Sequence, residues 1–355
     1  MKRSVLLGSA LAAALMVATP ATGEITFGED GLTGDFGKVQ LRGRFGASVQ
    51  GAVFDPVEDP NAGTETDAEI DGSARLSLEY TADNAWVFGA IADIDTAQEQ
   101  VEAFERDEFY VYAASQFGRV EVGENDGPAD TLSFHAARVG LGQVRGVSAR
   151  YTGTVALLSP FDSQDAAKIT YLSPPIEGLR FGVAYAPEFE INADDPNPSR
   201  RTIQEDVIEF GAQYVQPVGE FVLGGSAAYV AGSSDPVTGR EDIESWSVGV
   251  EARRGKLTAA AAFVDRGRSN LLPTSDTESE WNAGVSWREE GWAVAASVAI
   301  GDENGGTVSR SGVGGEYDIT TNIHVAADAV LLNTEDAFGN SEDGAVGLVE
   351  VGLRF

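Results

Sequence analysis

The stretch DEFYVYAASQFGRVEVGE, Asp107–Glu124, holds two short amphipathic strands around a turn at Gln116–Gly118. It runs on into NDGPADTLSFHAARVGLGQVR, Asn125–Arg145, which is rich in glycine and polar residues. That run opens the longest interval between strands in the chain. A hairpin feeding such a loop belongs to a β-protein in which most other connections are regular, and the rest of the sequence supplies them.

Working back to residue 37, GKVQLRGRFGASVQG puts Val39, Leu41, Phe45, Ala47 and Val49 on one face. Lys38, Gln40, Arg42, Arg44, Ser48 and Gln50 fall on the other. Strict alternation of this length predicts a strand with one apolar and one wet face. Working forward, Trp281, Ala283, Val285 and Trp287 oppose Asn282, Gly284, Ser286 and Arg288, and the same period runs to Phe355. Strands are expected near 37–54, 69–81, 85–94, 107–115, 118–124, 166–172, 178–187 and 204–216. Eight more are expected near 220–231, 242–254, 255–265, 279–289, 290–300, 309–318, 321–333 and 343–355. Residues 24–36 read as a short strand and turn or as an N-terminal extension.

The connections alternate in length. Short turns fall at Ala82–Asn84, Gln116–Phe117, Ser173–Glu177, Pro217–Gly219, Arg254–Gly255, Glu289–Gly291 and Ile319–Thr320. Between them lie eight long, often acidic stretches, such as DPVEDPNAGTETDA from Asp55, EFEINADDPNPSRR from Glu188 and NTEDAFGNSE from Asn333. Sixteen strands with short turns at one end and long loops at the other describe an all-β, antiparallel, up-and-down barrel. A barrel of that many strands is too wide for side chains to fill, so its interior holds water and its apolar face needs lipid. A soluble sandwich would share the period but would not segregate short from long connections. Trp86, Trp246, Trp281, Trp287 and Trp292 stand near strand ends, where interfacial aromatic girdles lie.

The first residues read as an export signal spanning 1–23, with Lys2 and Arg3 ahead of an apolar run from Val5 to Ala18 and small residues at Ala21 and Gly23. The barrel domain then occupies 24–355. Zero cysteines exclude a disulfide scaffold and thiolate metal sites. The formal charge is −32, and loss of Lys2 and Arg3 with the leader would make it −34, a balance that excludes nucleic acid as a partner.

Three local features resemble the general porins of Gram-negative bacteria, especially the alphaproteobacterial type. The hairpin Asp107–Glu124 is similar to the family's strand, Phe-Gly, strand signature ahead of its constriction loop. KITYLSPPIEGLRFGVAY, Lys168–Tyr185, is similar to its Tyr-x-Ser-Pro hairpin, and the terminal Phe355 is similar to its assembly signal. The resemblance implies an outer-membrane homotrimer of sixteen-stranded transmembrane barrels. Each would have a long loop folded into its lumen after the fifth strand and would pass small hydrophilic solutes and ions without a cofactor. Lipid and lipopolysaccharide would surround it.

On that reading the constriction is expected to draw on Arg42, Arg44, Arg75 and Glu79 from the first two barrel strands. From the end of the fifth strand and its loop come Glu124, Asp126, Asp130, Arg138 and Arg145. Guanidiniums keep their charge at any relevant pH, and facing carboxylates across a wet lumen they would sort solutes by charge. The loop's mixed sign departs from the carboxylate-rich loop of many porins, and its later part, Gly146–Pro160, reads as strand-like. Arg180, Arg288 and Arg354 share the inward parity but lie further from the loop in sequence. The acidic outer loops could hold weakly bound Ca²⁺ or form a solvated negative rim, and the lack of an EF-hand spacing favours the rim. Two alternatives stay open: an adhesion or binding barrel that uses its loops, and a barrel hydrolase using His135 or His324. No G-x-S-x-G or H-E-x-x-H motif supports the hydrolase.

Overall fold

The computed structural model describes residues 25–29, 31–55, 64–95, 105–145, 148, 151, 154, 156–191, 202–235, 238–303 and 305–355. The leader assigned to 1–23 and most of the first and seventh inter-strand tracts lie outside the described residues.

Alternating side chains fold into a single antiparallel sheet of eighteen strands. Two are short: β1 (Ile25–Gly28) and β2 (Gly31–Asp35). The barrel wall begins with β3 (Val39–Asp55), β4 (Glu65–Thr81), β5 (Val87–Asp95), β6 (Glu105–Ser115) and β7 (Gly118–Glu124). After a one-turn helix α1 (Pro128–Thr131) it resumes with β8 (Ala167–Leu172), β9 (Leu179–Ile191), β10 (Thr202–Val218), β11 (Phe221–Ser234) and β12 (Ile243–Arg254). It ends with β13 (Leu257–Gly267), β14 (Glu278–Glu289), β15 (Trp292–Glu303), β16 (Gly306–Asp318), β17 (Ile323–Glu335) and β18 (Ser341–Arg354).

Pairing of β18 with β3, from Gly46 opposite Arg354 to Asp55 opposite Ala345, closes a ring of sixteen strands. The extra pair explains residues 24–36. β1 and β2 form a hairpin, and β2 pairs with the start of β3, from Leu32 opposite Gly43 to Asp35 opposite Gln40. β2 therefore takes over the edge of β3 where β18 stops, and Phe45 and Phe355 exchange backbone hydrogen bonds of 3.0 and 2.9 Å at the junction. Gly31, at φ +82°, turns the chain beside Gly43 and Phe355, where a side chain would meet backbone.

The apolar parity faces outward. Val250, Leu331 and Trp281 are 61, 62 and 64 % exposed and sit in a contiguous band with Val285, Val298, Val313, Val349 and Val351. So wide an apolar surface is not sustained against water and requires a membrane. Among the described residues no helix is long and apolar enough to cross one, so the strands do the crossing. The inward parity carries Gln50, Glu209, Ser245, Glu280, Asn282, Ser297, Arg310 and Asp328, all buried.

The wet ends differ from expectation in one respect. Residues 304 and 305 alone connect β15 to β16, where a long loop was expected. Pairing continues to Glu303 opposite Gly306, and Gly305, at φ +78°, permits the tight reversal. Several strands likewise run past their predicted limits at this end, because sequence alternation fades once the outer face meets water while backbone pairing does not. At the other end, two-residue turns such as Gly219–Glu220 and Gly255–Lys256 carry the positive φ (+62° and +58°) that close hairpins need.

Candidate functional site

The described residues of 125–166, between β7 and β8, fold into the barrel and lie along its inner wall. The loop leaves β7 at Asn125, whose amide donates to Glu121 Oε2 (2.6 Å). Pro128, at the first turn of α1, lies on Gly182 and Gly211. Phe134 covers Gly224 and Gly249, Ala137 covers Gly284, and Gln143 covers Gly312. A Cβ on Gly182 would sit 2.6 Å from Pro128 Cβ, and one on Gly224 would sit 2.5 Å from the Phe134 ring. Six inward-facing glycines on β9, β10, β11, β12, β14 and β16 thus form a track for the loop backbone.

Wall side chains satisfy the loop's backbone groups, as burial requires. Phe134 N donates to Ser226 Oγ (2.8 Å), Ala136 N to Asn282 Oδ1 (2.7 Å) and Gln143 N to Asp328 Oδ2 (2.7 Å). Gln143 Nε2 also reaches Asp328 Oδ1 (2.9 Å). At the far end Leu141 and Tyr151 pack with Ala52, Ala326, Val346 and Leu348, so the loop spans the wall from β9 to β18 and touches the upper end of β3. On the return arm, Leu157 N donates to Glu280 Oε1 (2.8 Å), Phe161 N to Ser245 Oγ (2.8 Å) and Ser163 N to Glu209 Oε1 (3.1 Å). Of 146–160, residues 148, 151, 154 and 156–160 are described and none forms a strand, against the strand-like reading there; the rest of that stretch lies outside the described residues. The alternation of the described ones fits a return arm laid on the wall rather than paired within it.

The wall left open is that of β3 to β7, and the expected residues divide accordingly. Arg42, Arg44 and Arg75 face one lumen cavity of about 840 Å³, together with Asp93, Asp95 and Arg354. Arg75 Nη1 contacts Asp93 Oδ2 (2.5 Å) and Glu108 Oε2 (3.0 Å). Glu79 accepts a hydrogen bond from the Tyr112 hydroxyl lower on the same wall. Glu124 closes β7 opposite Phe109 and Ala167. Asp126 and Asp130 begin the loop, and Asp130 lies in the first turn of α1, where the helix dipole favours a negative charge. Arg138 and Arg145 lie further along it, close enough to repel one another. Of the other arginines whose inward parity was read from the sequence, Arg288 pairs with Glu316 (2.5 Å) and Arg354 with Asp318. His135 stands on the loop with Nδ1 3.1 Å from Ala136 O, and His324 Nε2 is 3.1 Å from Glu350 Oε1.

Sequence reasoning missed the anchors. Asp328, Asn282, Glu209 and the Glu280–Arg310 pair hold the loop, and the glycine track seats it. Their signal was present as one inward glycine on each of several successive strands.

The base of the loop is negatively charged. Asp126, open to the lumen but deep in the barrel, is pushed up to about 6 by burial and by Asp130 and Glu108, against the pull of Lys168. Asp165 is pushed up to about 7 by burial and by Asp126 and Asp107. A carboxyl raised in this way is charged above its pKa and neutral below it. Acidification through pH 7 to 6 is therefore expected to remove negative charge from the loop's base and weaken any cation preference. Reversal potentials measured across that range in planar bilayers check this, and a preference that strengthens on acidification would refute it.

A closed ring of sixteen strands, an apolar exterior and a loop laid along the inner wall are the features on which comparison turns. A family model described as Gram-negative porin matches residues 10–337. The chain belongs to the Gram-negative porin family. Solved structures agree in fold. Salmonella typhi OmpF in complex with daunomycin superposes with a TM-score of 0.62 at 14% identity, covering 94% of this chain and 100% of that one. The anion-selective porin from Comamonas acidovorans gives 0.61 at 12% identity, with 89% and 100% covered. A porin refined at 1.8 Å resolution gives 0.58 at 15% identity, again with 89% and 100% covered. No match was found among curated protein sequences. This porin is thus an outer-membrane channel for small solutes.

Proposed function

We propose that this porin is a passive, cation-preferring pore in which the loop and the open wall of β3 to β7 form the constriction. The observation that carries the reading is the distribution of charge around the open lumen. Asp93, Asp95, Asp107, Glu108, Asp126 and Asp165 lie within electrostatic reach of one another along β5, β6 and the two ends of the loop. Arg75, the nearest arginine, is neutralised by two of them. An acidic lining raises the local concentration of cations, and the chain's net charge of −32 acts in the same sense at long range.

Planar-bilayer recording in a salt gradient tests it. A reversal potential favouring cations is expected, and a clear anion preference would overturn the proposal. Replacing Arg42 and Arg44 together with serine is expected to raise conductance and strengthen cation preference. Unchanged values would remove both from the constriction.

Assembly as a homotrimer is part of the proposal. The outward aromatics near the long-loop end, Tyr185, Phe210, Tyr229, Trp246, Phe263 and Trp281, stand on β9 to β14. Among the described residues that half of β15 to β18 and of β3 to β5 presents Val53, Ile70, Ile300 and Leu331 outward and no aromatic ring. A girdle marks contact with lipid headgroups, so its gap suits sister subunits, while the girdled sector faces lipid and lipopolysaccharide.

A further inference from the structure

We propose that the outer face of the barrel over β11 to β16 holds a phospholipid with a phosphoethanolamine headgroup. Its acyl chain lies in an apolar groove of the wall, and its headgroup sits on Arg254 and Lys256 at the short-turn end. The site is outside the lumen and does not depend on which solutes pass.

The groove has a volume of about 990 Å³. Its floor is Ala259, Ala261, Ala283 and Ala296, outward side chains too short to fill the apolar band. Val250, Val285, Val298 and Val313 form its sides and are between 46 and 61 % exposed. Register brings the floor into line, since Ala261 stands opposite both Val250 and Ala283, and Ala283 opposite Val298. Four of the five tryptophans bound the groove along the strands, Trp246 and Trp281 on the long-loop side and Trp287 and Trp292 on the short-turn side. Aromatic girdles mark the two headgroup levels, so the groove lies at the depth of acyl chains. A chain laid in the recess gains dispersion contacts on three sides, where one passing a flush wall gains them on one.

The short-turn end of the groove is charged. Arg254 follows Ala252 of the groove wall by two residues, so it shares the outward parity and begins about 7 Å further along the strand. Its guanidinium lies 5.4 Å from the centre of the Phe221 ring and pairs with Glu220. Across the turn, Lys256 pairs with Glu289, which also accepts the indole N–H of Trp287 (3.1 Å). Glu220, Arg254, Lys256 and Glu289 therefore stand in that order along the rim from β11 to β14, within three strand spacings or about 14 Å. Both pairs are open to solvent, with the side chains of Arg254 and Lys256 58 and 54 % exposed, and such pairs are weak enough to exchange partners. A phosphate between the two cations gains charge-assisted bonds from both, bidentate from the arginine. A purely anionic headgroup would leave Glu220 and Glu289 without a counter-charge, beside the exposed Glu290. A headgroup that carries a primary ammonium supplies one, with three N–H donors for the carboxylates. A quaternary ammonium has no N–H to donate. Two central cations flanked by carboxylates thus favour phosphoethanolamine over phosphocholine and over a plain anion.

Tryptophan fluorescence tests this, because Trp246, Trp281, Trp287 and Trp292 border the groove and brominated acyl chains quench on contact. The purified porin is placed in phosphatidylcholine vesicles that carry a small, fixed fraction of brominated phosphatidylethanolamine, phosphatidylglycerol or phosphatidylcholine. Brominated phosphatidylethanolamine is expected to quench several-fold more than brominated phosphatidylcholine at the same fraction. The excess is expected to vanish in Arg254→Ser/Lys256→Ser and in Glu220→Gln/Glu289→Gln. It is expected to shrink in Ala283→Leu/Ala296→Leu, which fills the floor with apolar side chains. Equal quenching by the two lipids in wild-type protein would overturn the site, and so would stronger quenching by phosphatidylglycerol than by phosphatidylethanolamine. An excess that survives in both charge variants would overturn it as well. The wild-type comparison needs no variant to fold, and KCl conductance at the wild-type value reports that each variant barrel has folded.

Discussion

Gly249→Val should lower single-channel conductance sharply. Gly249 lies on the inner face of β12 beneath the Phe134 carbonyl, and a Cβ there would fall inside the van der Waals envelope of that backbone. The wall cannot retreat, because β12 is paired along its length with β11 and β13. The loop must therefore lift toward the lumen axis, straining the bond from Phe134 N to Ser226 Oγ and narrowing the passage. Overpacking of this kind costs about 1–3 kcal/mol, so the barrel is expected to fold and to conduct less. Gly225→Val is the control. Gly225 faces outward on β11 with its nearest Cβ neighbour at 4.0 Å, and its substitution should leave conductance alone. Planar-bilayer recordings of the two variants decide the matter, and equal conductances would remove the glycine track from any role in seating the loop.

Arg310→Met should produce the largest loss of stability. Arg310 is 4% exposed on β16, with Nη1 2.6 Å from Glu280 Oε2, Nη2 3.1 Å from Glu303 Oε2 and Nε 3.1 Å from Thr154 Oγ1 on the loop. Glu280 is 2% exposed and also accepts the Leu157 N–H. Removing the guanidinium leaves a buried carboxylate without the cation bonded to it, with the charge of Arg266 alone acting on it, a change that costs about 3–5 kcal/mol. A lower Tm of the folded barrel is expected, together with noisier channel currents as the return arm loosens. Arg310→Met combined with Glu280→Gln should recover part of the loss, since the stranded charge is then gone. A single variant with wild-type Tm and quiet currents would show that the pair does not hold the loop.

Both variants act on residues that a reading along the chain passes over, and the reason is geometric. The period of two in segments such as Trp281–Arg288 and Val39–Gln50 is a local property, set by which face of each strand meets lipid. It was enough to give the barrel, its sixteen wall strands and the inward parity of Arg42, Arg44 and Arg75. Two-residue turns such as Gly255–Lys256 were legible for the same reason, because the backbone conformation they need is written in the glycine itself. The N-terminal hairpin was not legible. β2 exists as a strand because β18 pairs with β3 only from Gly46 onward and leaves Gln40–Gly43 open to another partner, a vacancy created some three hundred positions away.

The stretch from Asp107 to Arg145, taken alone, fixed a hairpin and a long loop behind it. Where that loop goes was decided by the tertiary structure. Its course depends on Gly182, Gly211, Gly224, Gly249, Gly284 and Gly312 coming into line across separate strands, and on Asp328, Asn282 and Glu280 standing where the loop's N–H groups arrive. Strand register sets that alignment, and register is a relation between strands that no single stretch contains.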